Sequence, residues 1–187
     1  MSVATYFDPL PLLGEAQAVF RGQWAERLWL NVPGPFYGAG TDNCGTGRMY
    51  APALVLYEGE HFTEYVYRQP RTAQELRQLV DAAEAEVFRA YGCDGDDHWT
   101  PETVREWWRN RARIKEYLAT RRPAWGNDDA RSGQGTAAAA HDYAAYIDGE
   151  LAAHLRAYLF WLDERRAPTA VDRLPLLSRN RTGCAGS

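Results

Sequence analysis

Apolar positions recur along this chain with two different periods. Leu76, Leu79, Val80, Ala83, Val87 and Phe88 follow one another at intervals of three and four, the spacing of one helical face. Thr72-Ala-Gln-Glu75 stands just before them. A Thr hydroxyl and a Glu carboxylate three residues apart satisfy the free amides of a first helical turn. A helix is therefore predicted from there to a stop at Gly92. Val104, Trp107, Trp108, Arg111, Ile114 and Leu118 share a second face behind Thr100-Pro101-Glu102, a sequence that supplies an N-cap hydroxyl, a proline at the first helical position and a first-turn carboxylate. A third face holds Tyr143, Ile147, Leu151, His154, Leu155, Tyr158 and Leu162. It predicts one long helix over residues 137–166, with Gly149 weakening it only mildly. A short helix is expected over residues 15–27.

Between these stretches the pattern becomes β-like. Ala53-Leu-Val-Leu-Tyr57 and Phe62-Thr-Glu-Tyr-Val-Tyr-Arg68 are joined by Glu58-Gly-Glu-His61 and read as a hairpin. Leu28-Trp-Leu-Asn-Val32 reads as a further strand, closed by Pro33-Gly34-Pro35. Residues 123–136, rich in Gly, Asn, Asp and Ser, read as a long polar connection. The predicted fold class is α+β, a small and mainly antiparallel sheet of about three or more strands covered by three to four helices. Residues 1–166 are expected to form a single domain and residues 167–187 a tail, of which Leu174-Pro-Leu-Leu177 is apolar enough to dock.

Composition narrows the function classes. The chain has 187 residues, enough for one core without disulfides. Seven Trp and eleven Tyr predict an aromatic core. A net charge of −4 argues against nucleic-acid binding, which needs a clustered positive surface. No apolar run reaches the length of about 18 residues expected of a membrane helix. The start of the chain lacks the pattern of an export signal. Three cysteines, Cys44, Cys93 and Cys184, then read as reduced thiols of a cytoplasmic protein.

Two Gly/Asp-rich loops carry the candidate chemistry. In the first, Asp42-Asn-Cys44-Gly45-Thr46-Gly47-Arg48 places a thiol beside backbone amides that can cradle an anion or an oxyanion. In the second, Asp94, Asp96 and His98 alternate. Catalysis would pair Cys44 as nucleophile with His98 as base and Asp42, Asp94 or Asp96 as orienter. Gly45, Thr46, Gly47 and Arg48, with Arg111 from the apolar helix face, are the candidate ligand-binding residues. The plainer reading makes Cys44 a buried inert thiol, Asp94 and Asp96 turn and helix-start residues, and His154 a satisfied core histidine.

No metal site is expected. Counting from Asp94, the sixth and twelfth positions of a calcium loop are Trp99 and Arg105, where Gly and Glu are required. There is no Cys-x-x-Cys spacing for zinc, and no cofactor is implied. The arginine-rich stretch over residues 105–122 reads as a solvated face paired with Asp94–Asp97 and Asp128–Asp129, or as a surface for an anion or acidic partner.

Three blocks together resemble a family of small uncharacterised actinobacterial proteins often labelled ferredoxin. They are Asn31-Val-Pro-Gly-Pro-Phe-Tyr-Gly with Thr41-Asp-Asn-Cys-Gly-Thr-Gly47, Glu64-Tyr-Val-Tyr-Arg-Gln-Pro-Arg-Thr72, and Tyr91-Gly-Cys-Asp-Gly-Asp-Asp-His-Trp-Thr-Pro101 with Arg105-Glu-Trp-Trp108. The likeness covers residues 28–118 and brings no established catalytic residues with it. Three cysteines cannot supply the four thiolates of an ordinary iron–sulfur cluster. The expected function is a non-catalytic protein-binding module of the immunity or regulatory type. The alternative is a small-molecule enzyme of specialised metabolism using the Cys44 loop and His98.

Overall fold

The computed structural model describes residues 6–58, 60–132 and 135–178. Its architecture is α+β, dominated by helices. The strands form two antiparallel pairs instead of one sheet. Strand β1 (Tyr37–Gly38) pairs with β4 (Tyr91–Gly92), and β2 (Val55–Glu58) pairs with β3 (Thr63–Val66) in the hairpin predicted from sequence. The helices are α1 (Thr46–Tyr50), α2 (Ala73–Ala85), α3 (Gly95–His98), α4 (Pro101–Arg109), α5 (Arg111–Ser132), α6 (Thr136–Asp148) and α7 (Leu151–Glu164).

The strand expected over residues 28–32 does not form, because a side chain takes its place. The Asn31 amide nitrogen donates to the carbonyls of Leu28 (2.7 Å) and Gly38 (2.9 Å), and its oxygen accepts from the amides of Gly38 (2.8 Å) and Val66 (2.8 Å). Asn31 thus bridges β1 and β3 where a third strand would have run. Gln69 does the same for the turn that follows, donating to Val32 and Phe36 carbonyls and accepting from the Phe36 amide. These two amides are why residues 30–39 can be buried throughout, since buried backbone needs partners.

Other boundaries differ from expectation for local reasons. The expected helix over residues 15–27 is replaced by 3-10 turns at Leu10–Leu12, Gly14–Val19 and Trp24–Glu26. Helix α2 starts as predicted, with the Glu75 amide donating to the Thr72 hydroxyl. It stops before Val87 and Phe88, because the Glu86 carboxylate accepts from the amides of Phe88, Ala90 and Asp42 and pulls the chain out of the helix. Helix α4 has the predicted Thr100 cap and Pro101 start. The polar stretch after Pro123 is helical to Ser132, anchored by buried Trp125 against Tyr117. Gly149, at φ −112° and ψ −101°, does end α6, so the long helix is two.

Two cores result. The larger gathers α4 to α7 on Leu30, Leu56 and Tyr65; the smaller joins α2 to Phe36, Leu54, Val55 and Val66. The Tyr143 hydroxyl donates to the Leu30 carbonyl at 2.8 Å, fixing α6 to the Asn31 turn. After α7 the Leu174–Leu177 segment docks: Leu177 is buried, Arg156 donates to the carbonyls of Leu174 and Pro175, and Arg105 to that of Leu176.

Candidate functional site

The segments that lead into the two Gly/Asp loops lie side by side, through the β1–β4 pair and the Gly95 amide on the Pro35 carbonyl. Their proposed catalytic members are nevertheless parcelled into separate networks. No hydrogen bond joins Cys44 to His98.

Around Cys44 the anion cradle is filled from within. The amides of Gly47 and Arg48, at the start of α1, both donate to the Glu64 carboxylate at 3.1 Å, and Tyr91 donates to it at 2.7 Å. Glu64 is fully buried. Burial raises its pKa, while the Tyr91 hydroxyl and the two amides hold the shift back. Asp42 accepts from the Cys44 amide at 2.8 Å, and its own amide donates to Glu86. Gly45 adopts φ 68° ahead of α1. Arg48 reaches away to the carbonyls of Pro52, Val55 and Gly135.

Cys44 is exposed, not the buried thiol expected. Its pKa is raised, chiefly by the Asp42 charge, so the thiolate is disfavoured where an activated nucleophile needs it favoured. Cys93 is buried, and burial pushes its thiol up to about 11. Cys184 lies outside the described residues. Among these residues no group of His, Cys, Asp and Glu is arranged to hold a metal ion.

The second loop serves as a brace. Asp94 accepts from the Tyr37 hydroxyl at 2.5 Å and lies 3.1 Å from His98 Nε2. His98 stacks on Trp24, with centroids 4.8 Å apart and planes at 11°. Asp96 is buried and accepts from Tyr158 at 2.6 Å, while its other oxygen lacks a partner. Desolvation raises its pKa to about 6. His154, expected to be satisfied, leaves Nε2 buried without a partner, and burial lowers its pKa to about 4.

On Trp24 also lies the Arg27 guanidinium, 3.9 Å from the ring centroid and 5.2 Å from that of Trp99. Arg27 opens onto a cleft of about 420 Å³ whose wall includes Trp29, Trp99, Glu106, Trp107, Asn110, Arg113 and Ile114. Arg113, from the first turn of α5, covers Trp29 at 4.2 Å. A second hollow of similar size shares Trp29 and Arg113 and is bounded by the Arg121–Glu60 ion pair. Among the described residues, neither the Arg27 nor the Arg113 side chain has a hydrogen bond or an ion pair. Burial lowers the Arg27 pKa, the mark of a guanidinium drawn out of water without a counter-ion. Trp107 contributes an indole N–H that is buried and lacks an acceptor.

Among the described residues no arginine of α4 or α5 forms an ion pair with Asp94–Asp97, and the side chains of Asp128 and Asp129 lie outside the description. Lys115 meets Asp148, Arg121 meets Glu60, and Arg111 folds over Trp108 at 4.0 Å while donating to the Trp108 carbonyl. Arg111 therefore stays outside the cleft wall. Of the cleft, the sequence offers Trp107 as a core residue and Arg113 as one of a stretch read as a solvated face or as a surface for an anion or acidic partner. Arg27 and Trp29 sat in a predicted helix and a predicted strand. The one available signal was the alternation of Trp and Arg in both segments. Comparison with protein-family models, with curated proteins and with solved structures gives no match. No helix among the described residues is long and apolar enough to cross a membrane.

Proposed function

We propose that this protein is a non-catalytic binding module and that its recognition face is the tryptophan–arginine cleft between the Arg27–Trp29 turn, α4 and the start of α5. The observation carrying this reading is the pair of guanidinium groups left on indole faces without carboxylate partners. Arg27, partly withdrawn from water, is costly to hold there unless something neutralises it, and the exposed Arg113 beside it adds to the same unpartnered positive charge. Cation–π contact with Trp returns only about 0.5–2 kcal/mol. Aromatic and Arg residues grouped in a concavity are also the composition of binding hot spots.

The enzyme alternative draws less support. It needs an ionised Cys44 near His98 and free amides for an oxyanion, whereas Asp42 disfavours the thiolate, His98 is bound to Asp94 and Trp24, and Glu64 fills the amides. A photo-reactive amino acid at Asn110, on the cleft wall, tests the face against the same residue at Gln78 on α2. After irradiation in cells, intact-mass analysis is expected to find an adduct at Asn110 and none at Gln78; the added mass separates a protein partner from a small ligand. Equal labelling at both positions, or at neither, would remove the cleft as the recognition face.

A further inference from the structure

The cleft also carries the chemistry of its occupant. Its walls are flat indoles, Trp29, Trp99 and Trp107, which favour a flat ring in stacked or edge-on contact. Its cations are two guanidiniums, whose planar donor fork matches a carboxylate better than any other common anion except phosphate. A volume of about 420 Å³ lies in the range of small-molecule sites and leaves room for a bicyclic ring with its acid group. One carboxylate, Glu106, stands on the wall and forms no ion pair with Arg27 or Arg113. With two guanidiniums and this carboxylate the wall carries one net positive charge, which a singly charged carboxylate neutralises and a doubly charged phosphate exceeds.

Resting on the cleft as the recognition face, the geometry points to an aromatic carboxylate as ligand, its ring against Trp29, Trp99 and Trp107 and its acid group against Arg27 and Arg113. The same chemistry exists in a free aromatic acid and in the C-terminal residue of a chain ending in Trp.

The test uses the full chain and titrates it with 2-naphthoate, 2-naphthamide and the peptide Gly-Gly-Trp, following the tryptophan indole N–H resonances by NMR and the heat by calorimetry. Naphthoate is expected to bind and to move the Trp107 indole signal, with the amide at least about tenfold weaker, as the loss of one charge-assisted hydrogen-bonded contact requires. Arg113→Gln changes an exposed side chain and is expected to weaken naphthoate about tenfold while leaving the melting temperature in place. Glu106→Gln is expected to tighten it. A tighter naphthoate identifies a free acid, and a tighter Gly-Gly-Trp identifies a chain terminus. Equal affinity for acid and amide, an Arg113→Gln variant that binds as the parent does, or no binding by any probe overturns the ligand class. A persistent cross-link at Asn110 alongside that failure would leave the recognition face standing, and loss of both would end both.

Discussion

Replacing Asp96 by Asn changes how stability depends on pH, and the size of the change follows from burial. Desolvation lifts the Asp96 carboxyl from 3.8 to about 6. Between those values the folded protein keeps a proton that the unfolded chain has released. The stability this confers is complete below the unfolded value and is lost as pH rises through about 6. A displacement of about two pH units corresponds to about 3 kcal/mol. His154 acts in the opposite sense. Its pKa falls from 6.5 to about 4, so its contribution is complete above the unfolded value and is lost as pH falls through about 4, again by about 3 kcal/mol. Glu64, raised by burial, adds to the Asp96 side. The parent protein is therefore expected to show a shallow profile over this window, because opposing proton preferences offset one another. Asp96→Asn keeps an acceptor for Tyr158 but removes one side of the balance. Urea denaturation of parent and variant, from about pH 4 to about pH 7, should give a stability difference that drifts by about 3 kcal/mol against the parent as pH rises. A difference that stays flat to within about 0.5 kcal/mol would refute the assignment of a raised Asp96 pKa.

Five further outcomes test the frame around the loops and helix α5. Glu64→Ala strands the amides of Gly47 and Arg48 and the Tyr91 hydroxyl, and at about 1–3 kcal/mol for each orphaned group it should lower urea-derived stability by at least about 3 kcal/mol. Cys44, in a protein whose Cys93 and Cys184 are replaced by Ser, should alkylate at a midpoint pH above that of an ordinary thiol, and Asp42→Asn should move the midpoint down. Gly38→Ala should destabilise strongly, since its Cβ would strike the Glu64 carbonyl, whereas Gly126→Ala, in open space on α5, should gain about 0.5–1 kcal/mol in thermal or urea unfolding.

Elements announced by local chemistry were legible in the sequence. Thr72 and Thr100-Pro101 mark helix starts because a cap is a contact between near neighbours. The 53–68 hairpin is likewise local. What escaped depends on partners far along the chain. Nothing near Glu86 says that its carboxylate will take the Asp42 amide and end a helix whose apolar pattern continues to Phe88. Nothing near residue 30 says that Asn31 will stand in for a strand. Pro123 reads as a break until Trp125 is seen buried beyond it. The anion cradle at Gly47 was recognisable, but its occupant, Glu64, lies on a strand 17 residues away. The cleft was harder to see for the same reason, because Arg113 lies on Trp29 and Arg27 reaches Trp99, each tryptophan in another segment, while only the Arg27–Trp24 contact is local.

The Asn31 bridge has a kinetic side. Its four bonds join the Leu28 turn, β1 and β3, and the last of these partners lies 35 residues away. A side chain can complete such a junction only after all three segments are in register, so it rewards assembly without guiding the early search. Interactions of this kind, absent until the chain has crossed its barrier, slow escape from the native state more than they hasten arrival. Removing the Asn31 amide is therefore expected to shorten the lifetime of the folded protein more than it slows folding.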